Sequence, residues 1–138
     1  MDFKLVVRRL IEEVWNRGRI SVSERLVDTL CNDQSRTLNQ PKGIEGFKQS
    51  VVSFRRALPD LKIAIEALVA EQEIVVYRVT LKGTQGGEFM GIAPTGRHVE
   101  ETGLGMYRLS NGKIIEHWAG LDEMGMIRQL QGNGDTQR

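Results

Sequence analysis

The apolar residues of this chain change their spacing at Pro59, and that change restricts the possible folds more than any other feature. Before Pro59 the spacing is helical. Phe3, Val6, Leu10 and Val14, with Val7, Ile11 and Trp15 beside them, make one amphipathic stripe, and Gly18 supplies a stop. Ser21 and Glu24 have the spacing of a capping box, which predicts a second helix from Val22 to about Leu30. A polar segment with a short strand near Arg36 to Asn39 leads to a third helix, whose buried stripe is Ile44, Phe47, Val51 and Phe54. That helix must stop near Pro59, because the residue before a proline is pushed out of helical angles.

Beyond Pro59 the period is two. Leu61, Ile63, Ile65 and Ala67 alternate with polar neighbours, and Glu73 to Lys82 is rich in β-branched and aromatic residues. His98 to Leu109 and Lys113 to Gly120 flank Asn111 and Gly112, the dipeptide favoured in two-residue type I′ hairpins. Helices first and strands afterwards imply an α+β domain, with the helices packed on one face of an antiparallel sheet. The expected domain is 1–131, followed by a disordered polar tail at 132–138.

The hairpin predicts a register. With Asn111 and Gly112 as the turn, Leu109 faces Ile114, Tyr107 faces Glu116 and Gly105 faces Trp118. One face then holds Glu101, Gly103, Gly105, Tyr107, Glu116 and Trp118; the other holds Leu104, Met106, Arg108, Ile115, His117 and Ala119. Two glycines near a tryptophan leave space for a flat hydrophobic ligand, unless Gly105 serves only to let Trp118 lie across the strand. The opposite face is too apolar for water, which predicts a homodimer through Leu104, Met106, Ile115 and Ala119.

Composition closes off other classes. Lys and Arg number 19 against 18 Asp and Glu and are scattered, so no basic footprint for nucleic acid or an anionic membrane exists. The N-terminal stripe is interrupted by Arg8, Arg9, Glu12 and Glu13, which argues against a signal peptide or membrane span. The single cysteine, Cys31, cannot form an internal disulfide, and the sequence has no metal-ligand spacing. A cytoplasmic location is expected.

Two segments carry a more specific signal. Gly87 to Arg97 reads GEFMGIAPTGR, and Glu116 to Asp122 reads EHWAGLD ahead of a short apolar helix. In this order they resemble the SnoaL-like polyketide cyclases (ester cyclases) of the nuclear transport factor 2-like superfamily, over roughly Gly43 to Leu130. The resemblance implies the curled, cone-shaped sheet of ketosteroid isomerase and nuclear transport factor 2. It also implies metal-free, cofactor-free chemistry on a hydrophobic carbonyl compound. In that pattern Asp122 is the general base, removing a proton α to a carbonyl before an intramolecular aldol closure. Such a base needs an apolar pocket, where desolvation makes the carboxylate more basic. Asp122 also stands where a helix N-cap belongs.

The remaining candidates follow from the pocket expected around it. Trp118, Tyr107, Phe54 and Phe89 supply aromatic walls, Arg78 an anion or carbonyl contact, and Glu101 a second acid. Asn39 stands near the place of the Asp-His pair found in many relatives; it can hydrogen-bond a carbonyl but cannot carry a proton. Gly105 occupies a place where relatives often have an acid. His117 falls on the other face and is expected to be structural; His98 is expected to be exposed. Two alternatives stay open: a non-catalytic small-molecule-binding module, and a limonene-type epoxide hydrolase using Asp122, Glu101 and Arg78.

Overall fold

A computed structural model describes residues 2–34 and 41–132. Helix α1 (Phe3–Arg9) is capped by Asp2, whose carboxylate accepts from the Lys4 and Leu5 amides, and continues as a π-helical stretch over Leu10–Trp15. Arg55 Nη1 then donates to the Trp15 and Asn16 carbonyls at 2.8 and 2.9 Å, satisfying the helix end, and Gly18 turns away at φ +70°. The stop expected at Gly18 is therefore present. A single 3₁₀ turn (Ile20–Val22) leads to the four-residue α2 (Ser23–Leu26), and no side-chain cap holds it.

The second helix is shorter than its sequence implied. Val27–Asp33 is strand β1, running parallel to β5 (Lys113–Leu121). Buried Val27 and Cys31 are four residues apart, a spacing that puts both on one face of either a helix or a strand. Pairing with an otherwise open sheet edge decides between the two. The strand expected near Arg36 to Asn39 lies outside the described residues, as does nearly all of the expected tail.

Helix α3 (Gly43–Ala57) leads to β2 (Lys62–Glu71), β3 (Ile74–Thr84), β4 (His98–Ser110), β5 and a final helix α4 (Glu123–Leu130). Among the described residues, five strands form one curved mixed sheet in the order β1-β5-β4-β3-β2. The expected antiparallel set is present as β2 to β5, with β1 added in parallel. Val7, Leu10, Ile11 and Val14 pack on Val75, Tyr77, Val79, Tyr107 and Leu109, so the N-terminal helix covers one face of the sheet. A second cluster joins Ala57, Leu58, Leu81, Phe89, Val99 and Met126, with α4 closing that end.

The hairpin turn is as expected, but the register beyond it is not. Asn111 and Gly112 both have positive φ, +52° and +79°, and Leu109 pairs with Ile114. Ile115 is then an extra residue in β5. Arg108 pairs with Glu116, Tyr107 with His117, Met106 with Trp118 and Gly105 with Ala119. A one-residue bulge exchanges the faces of every residue after it. Its physical reason lies in two charges. The expected register would set Glu116 beside the buried Tyr107; the bulge brings it opposite Arg108, whose Nε lies 2.8 Å from Glu116 Oε1 at the surface.

The GEFMGIAPTGR segment is a folded loop fastened from below. The Gln85 amide is 2 % exposed; it donates to the Gly87 and Ile92 carbonyls and accepts from the Thr95 amide and hydroxyl, all at 2.7–3.0 Å. Above it, Phe89 and Ile92 exchange two backbone hydrogen bonds around a tight turn. Met90 occupies the first turn position at φ +49° and is 55 % exposed. A left-handed non-glycine residue costs roughly 1–2 kcal/mol, and asparagine tolerates it better. Met90→Asn, at a position where more than half of the side chain is in solvent, is expected to raise stability by up to about 1 kcal/mol, read as a higher midpoint in chemical denaturation; Met90→Val should lower it.

Candidate functional site

The bulge places His117 inward, beside Tyr107 and diagonally across from Tyr77. Its Nε2 is 2.9 Å from the Tyr77 hydroxyl, and its Nδ1 is 3.7 Å from Asp33 Oδ2 at the end of β1. The imidazole stacks on Tyr107 with centroids 4.3 Å apart and planes 16° off parallel, and Tyr107 leans on Tyr77 at 5.2 Å. Four strands thus deliver one cluster: Asp33 from β1, Tyr77 from β3, Tyr107 from β4 and His117 from β5.

Exposure grades across this cluster. Tyr107 and Tyr77 are 4 % and 8 % exposed, whereas the His117 and Asp33 side chains are 13 % and 28 % exposed. Ala119, the next inward residue of β5, is exposed. Solvent therefore meets the cluster at its Asp33 and Ala119 end, beside Nδ1 of His117. Burial, and then the Asp33 charge, push the Tyr77 hydroxyl above its ordinary range; burial does the same to Tyr107, helped by Tyr77, Asp33 and Cys31. Both phenols stay protonated at neutral pH. The Asp33 carboxylate lies beside Nδ1 of His117 and the Tyr77 hydroxyl beside Nε2, so the ring has a polar neighbour at each nitrogen.

The residues singled out from sequence are not all gathered here. Tyr107 belongs to the cluster. Trp118 does not: paired with Met106, it stands on the sheet face away from the helices, because the bulge reverses it with respect to His117. Arg78 pairs with Leu104 on that same outer face and is exposed, so it cannot join Asp122 and Glu101 as an epoxide hydrolase would need. Asp122 caps α4, accepting from the Gly125 amide at 2.8 Å, with Arg128 at 3.8 Å; its side chain is 52 % exposed rather than set in an apolar pocket. Glu101 does come near it. A Cβ built on Gly125 would lie 2.6 Å from Asp122 Oδ2 and 2.7 Å from Glu101 Oε2, and Gln129 Nε2 donates to that same Glu101 oxygen at 3.1 Å.

Phe54 and Phe89 meet edge-on at 5.6 Å, and Phe54 meets Trp15 at 5.9 Å, forming an aromatic chain beneath α3. Asn39 lies outside the described residues. His98 is exposed, as expected. The glycine face is not vacant: Tyr77 lies over Gly105, and a Cβ on Gly103 would sit 3.1 Å from a Val79 methyl. A groove of about 650 Å³ does open between Arg8, Glu12, Asn16, Arg17 and residues 59–65, but it touches none of the cluster. His117, Tyr77 and Asp33 were the residues that sequence reasoning missed or placed elsewhere. The available signal was the pair Arg108 and Glu116, two opposite charges that only a shifted register brings together.

Among the described residues no group of three or more His, Cys, Asp or Glu could hold a metal ion, and no helix is long and apolar enough to cross a membrane. The SnoaL-like polyketide cyclase model matches residues 5–130. The chain belongs to that family. Among solved structures, TsrD from Streptomyces laurentii is 25 % identical with a TM-score of 0.83, over 92 % of this chain and 96 % of that one. IdmH from Streptomyces antibioticus, described as a candidate polyketide cyclase, is 27 % identical with a TM-score of 0.80, over 95 % and 99 % of the two chains. A candidate SnoaL-like polyketide cyclase from Jannaschia sp. CCS1 is 25 % identical with a TM-score of 0.82, over 93 % and 90 %. No curated protein matches this chain in sequence.

The buried acids of this SnoaL-like protein give a signed pH dependence. Cys31 is pushed up to about 12, by burial first and then by Asp33, Asp28 and Glu116, and both tyrosines are raised as well. Unfolding lets all three ionise at lower pH, so their contribution to stability is complete below about pH 9 and is lost as pH climbs toward 12. The unfolding midpoint should fall over this alkaline range, and less steeply in Tyr77→Phe. The native Cys31 thiol should resist alkylation at pH 8 and react fully once the chain is denatured.

Proposed function

We propose that this SnoaL-like protein enolises a hydrophobic carbonyl compound, as a cyclase or isomerase would, with His117 as the general base. Family membership supports a cyclase- or isomerase-like activity at the coarse level. The observation that carries the finer reading is the 2.9 Å contact between His117 Nε2 and the Tyr77 hydroxyl. A base and a hydrogen-bond donor at that separation match a carbonyl oxygen and its α carbon, ~2.4 Å apart from standard bond lengths.

On substrate entry the Tyr77 proton turns from Nε2 to the carbonyl oxygen. The α C–H bond breaks, its proton passes to Nε2, and its electron pair becomes the enolate, whose oxygen Tyr77 holds. Asp33 faces the imidazolium so formed. In an aldol closure the enolate carbon then attacks a second carbonyl in the same molecule, and that carbonyl's oxygen takes the proton back from His117.

A second reading keeps Asp122 as the base, favoured by its convergence with Glu101 at Gly125. Hydrogen–deuterium exchange α to the carbonyl of aryl ketones, followed by proton NMR, separates the two. His117→Gln should slow exchange by roughly 10²–10⁴-fold and Tyr77→Phe by roughly 10²–10³-fold. Asp122→Asn keeps the cap at a cost of at most about 1 kcal/mol and should exchange at the wild-type rate. Loss in Asp122→Asn alone would move the base to Asp122.

The homodimer is part of the same proposal, on a corrected set of residues. Val69, Val76, Met106 and Trp118 form one row across β2, β3, β4 and β5, and Leu104 lies beside it; Val69 and Leu104 are 62 % and 56 % exposed. This outer face replaces the expected one, since Ala119 belongs inward. Light scattering at micromolar concentration should give a dimer, and Val76→Glu with Leu104→Glu a folded monomer.

A further inference from the structure

Tyr77 and His117 are not neighbours on the sheet. Tyr77 pairs with Gly105, while His117 pairs with Tyr107 on the far side of β4, so one whole strand separates them. Side chains stand roughly perpendicular to a sheet, and two strands are ~9–10 Å across. Their contact requires the Tyr77 ring to lie flat over β4. The residue beneath it is Gly105.

We infer that Gly105 is a positioning residue, whose missing side chain lets the Tyr77 hydroxyl reach His117 and so fixes the imidazole as its Nδ1–H tautomer. A Cβ at position 105 would lie 2.5 Å from the Tyr77 hydroxyl and 2.7 Å from Cζ. The ring cannot yield cheaply: it is rigid, 8 % exposed and packed against Tyr107. Displacing it breaks the 2.9 Å bond to Nε2 and removes the donor that marks Nε2 as the unprotonated nitrogen. Asp33 at Nδ1 then acts alone. The catalytic consequence rests on the proposal that His117 is the base; the tautomer does not.

The same Cβ would also lie 2.4 Å from the Trp118 carbonyl, so two obstacles compete to explain the glycine. Long-range ¹H–¹⁵N spectra at pH 8 resolve them, because the chain has two histidines and the exposed His98 is an internal control. Wild-type His117 should carry its proton on Nδ1. Tyr77→Phe should shift the His117 Nε2 resonance, and folded Gly105→Ala should reproduce that shift, with His98 unmoved in both. A folded Gly105→Ala with wild-type His117 resonances overturns the inference, as does a wild-type proton on Nε2. Where Gly105→Ala fails to fold, it is combined with Tyr77→Ala. Recovery of folding identifies the ring as the obstacle and supports the inference; continued failure assigns the glycine to the Trp118 carbonyl and overturns it. The expected tautomer together with unaffected exchange in His117→Gln would remove the proposed base and leave the positioning role standing.

Discussion

The extra residue at Ile115 determines what this sheet can do, because every side chain of β5 beyond it takes its face from that one insertion. Without it, Trp118 would face the helices and His117 the outside. The insertion is stable because it resolves a conflict between charge and burial. Glu116 is brought opposite Arg108 at the surface, and the aromatic Tyr107 receives an imidazole to stack on in place of a carboxylate. An unpaired buried carboxylate costs several kcal/mol, far more than the ladder bond a bulge disrupts.

From that register follows an arrangement of mutually dependent groups. His117 needs Tyr77, which needs the open space above Gly105, and the orientation of the imidazole needs Asp33 from a strand that joins β5 in parallel. Each group is ordinary alone. Together they hold two phenols protonated beside an imidazole with one side open to solvent, a combination suited to moving a proton at a carbonyl. The loop above the second core is fixed by Gln85, so Phe89 is presented by a rigid segment and packs against Phe54 at 5.6 Å.

The family's fold is carried over intact. The EHWAGLD segment keeps its place at the end of β5, and its final aspartate begins α4 as an N-cap. That carboxylate is half exposed and accepts the Gly125 amide at 2.8 Å, so it stands at the helix end in contact with solvent rather than inside an apolar pocket. The histidine within the same segment has the enclosed position instead. Fold likeness constrains where a site can lie, and side-chain geometry constrains which residue works there.

By itself the sequence determined the element order, the three-residue-scale features and the family. Period and punctuation are local, so the helix ending at Gly18, the third helix before Pro59, four of the five strands and the Asn111–Gly112 turn were all legible. Strand β1 was not, because the spacing of Val27 and Cys31 satisfies helix and strand alike and only the open edge of β5 selects the strand. The His117 cluster was not legible either. Which face a residue occupies depends on pairing with another strand, and a single unpaired residue at 115 reverses it; the sequence holds the two charges that favour the shift, but only their meeting across the sheet decides it.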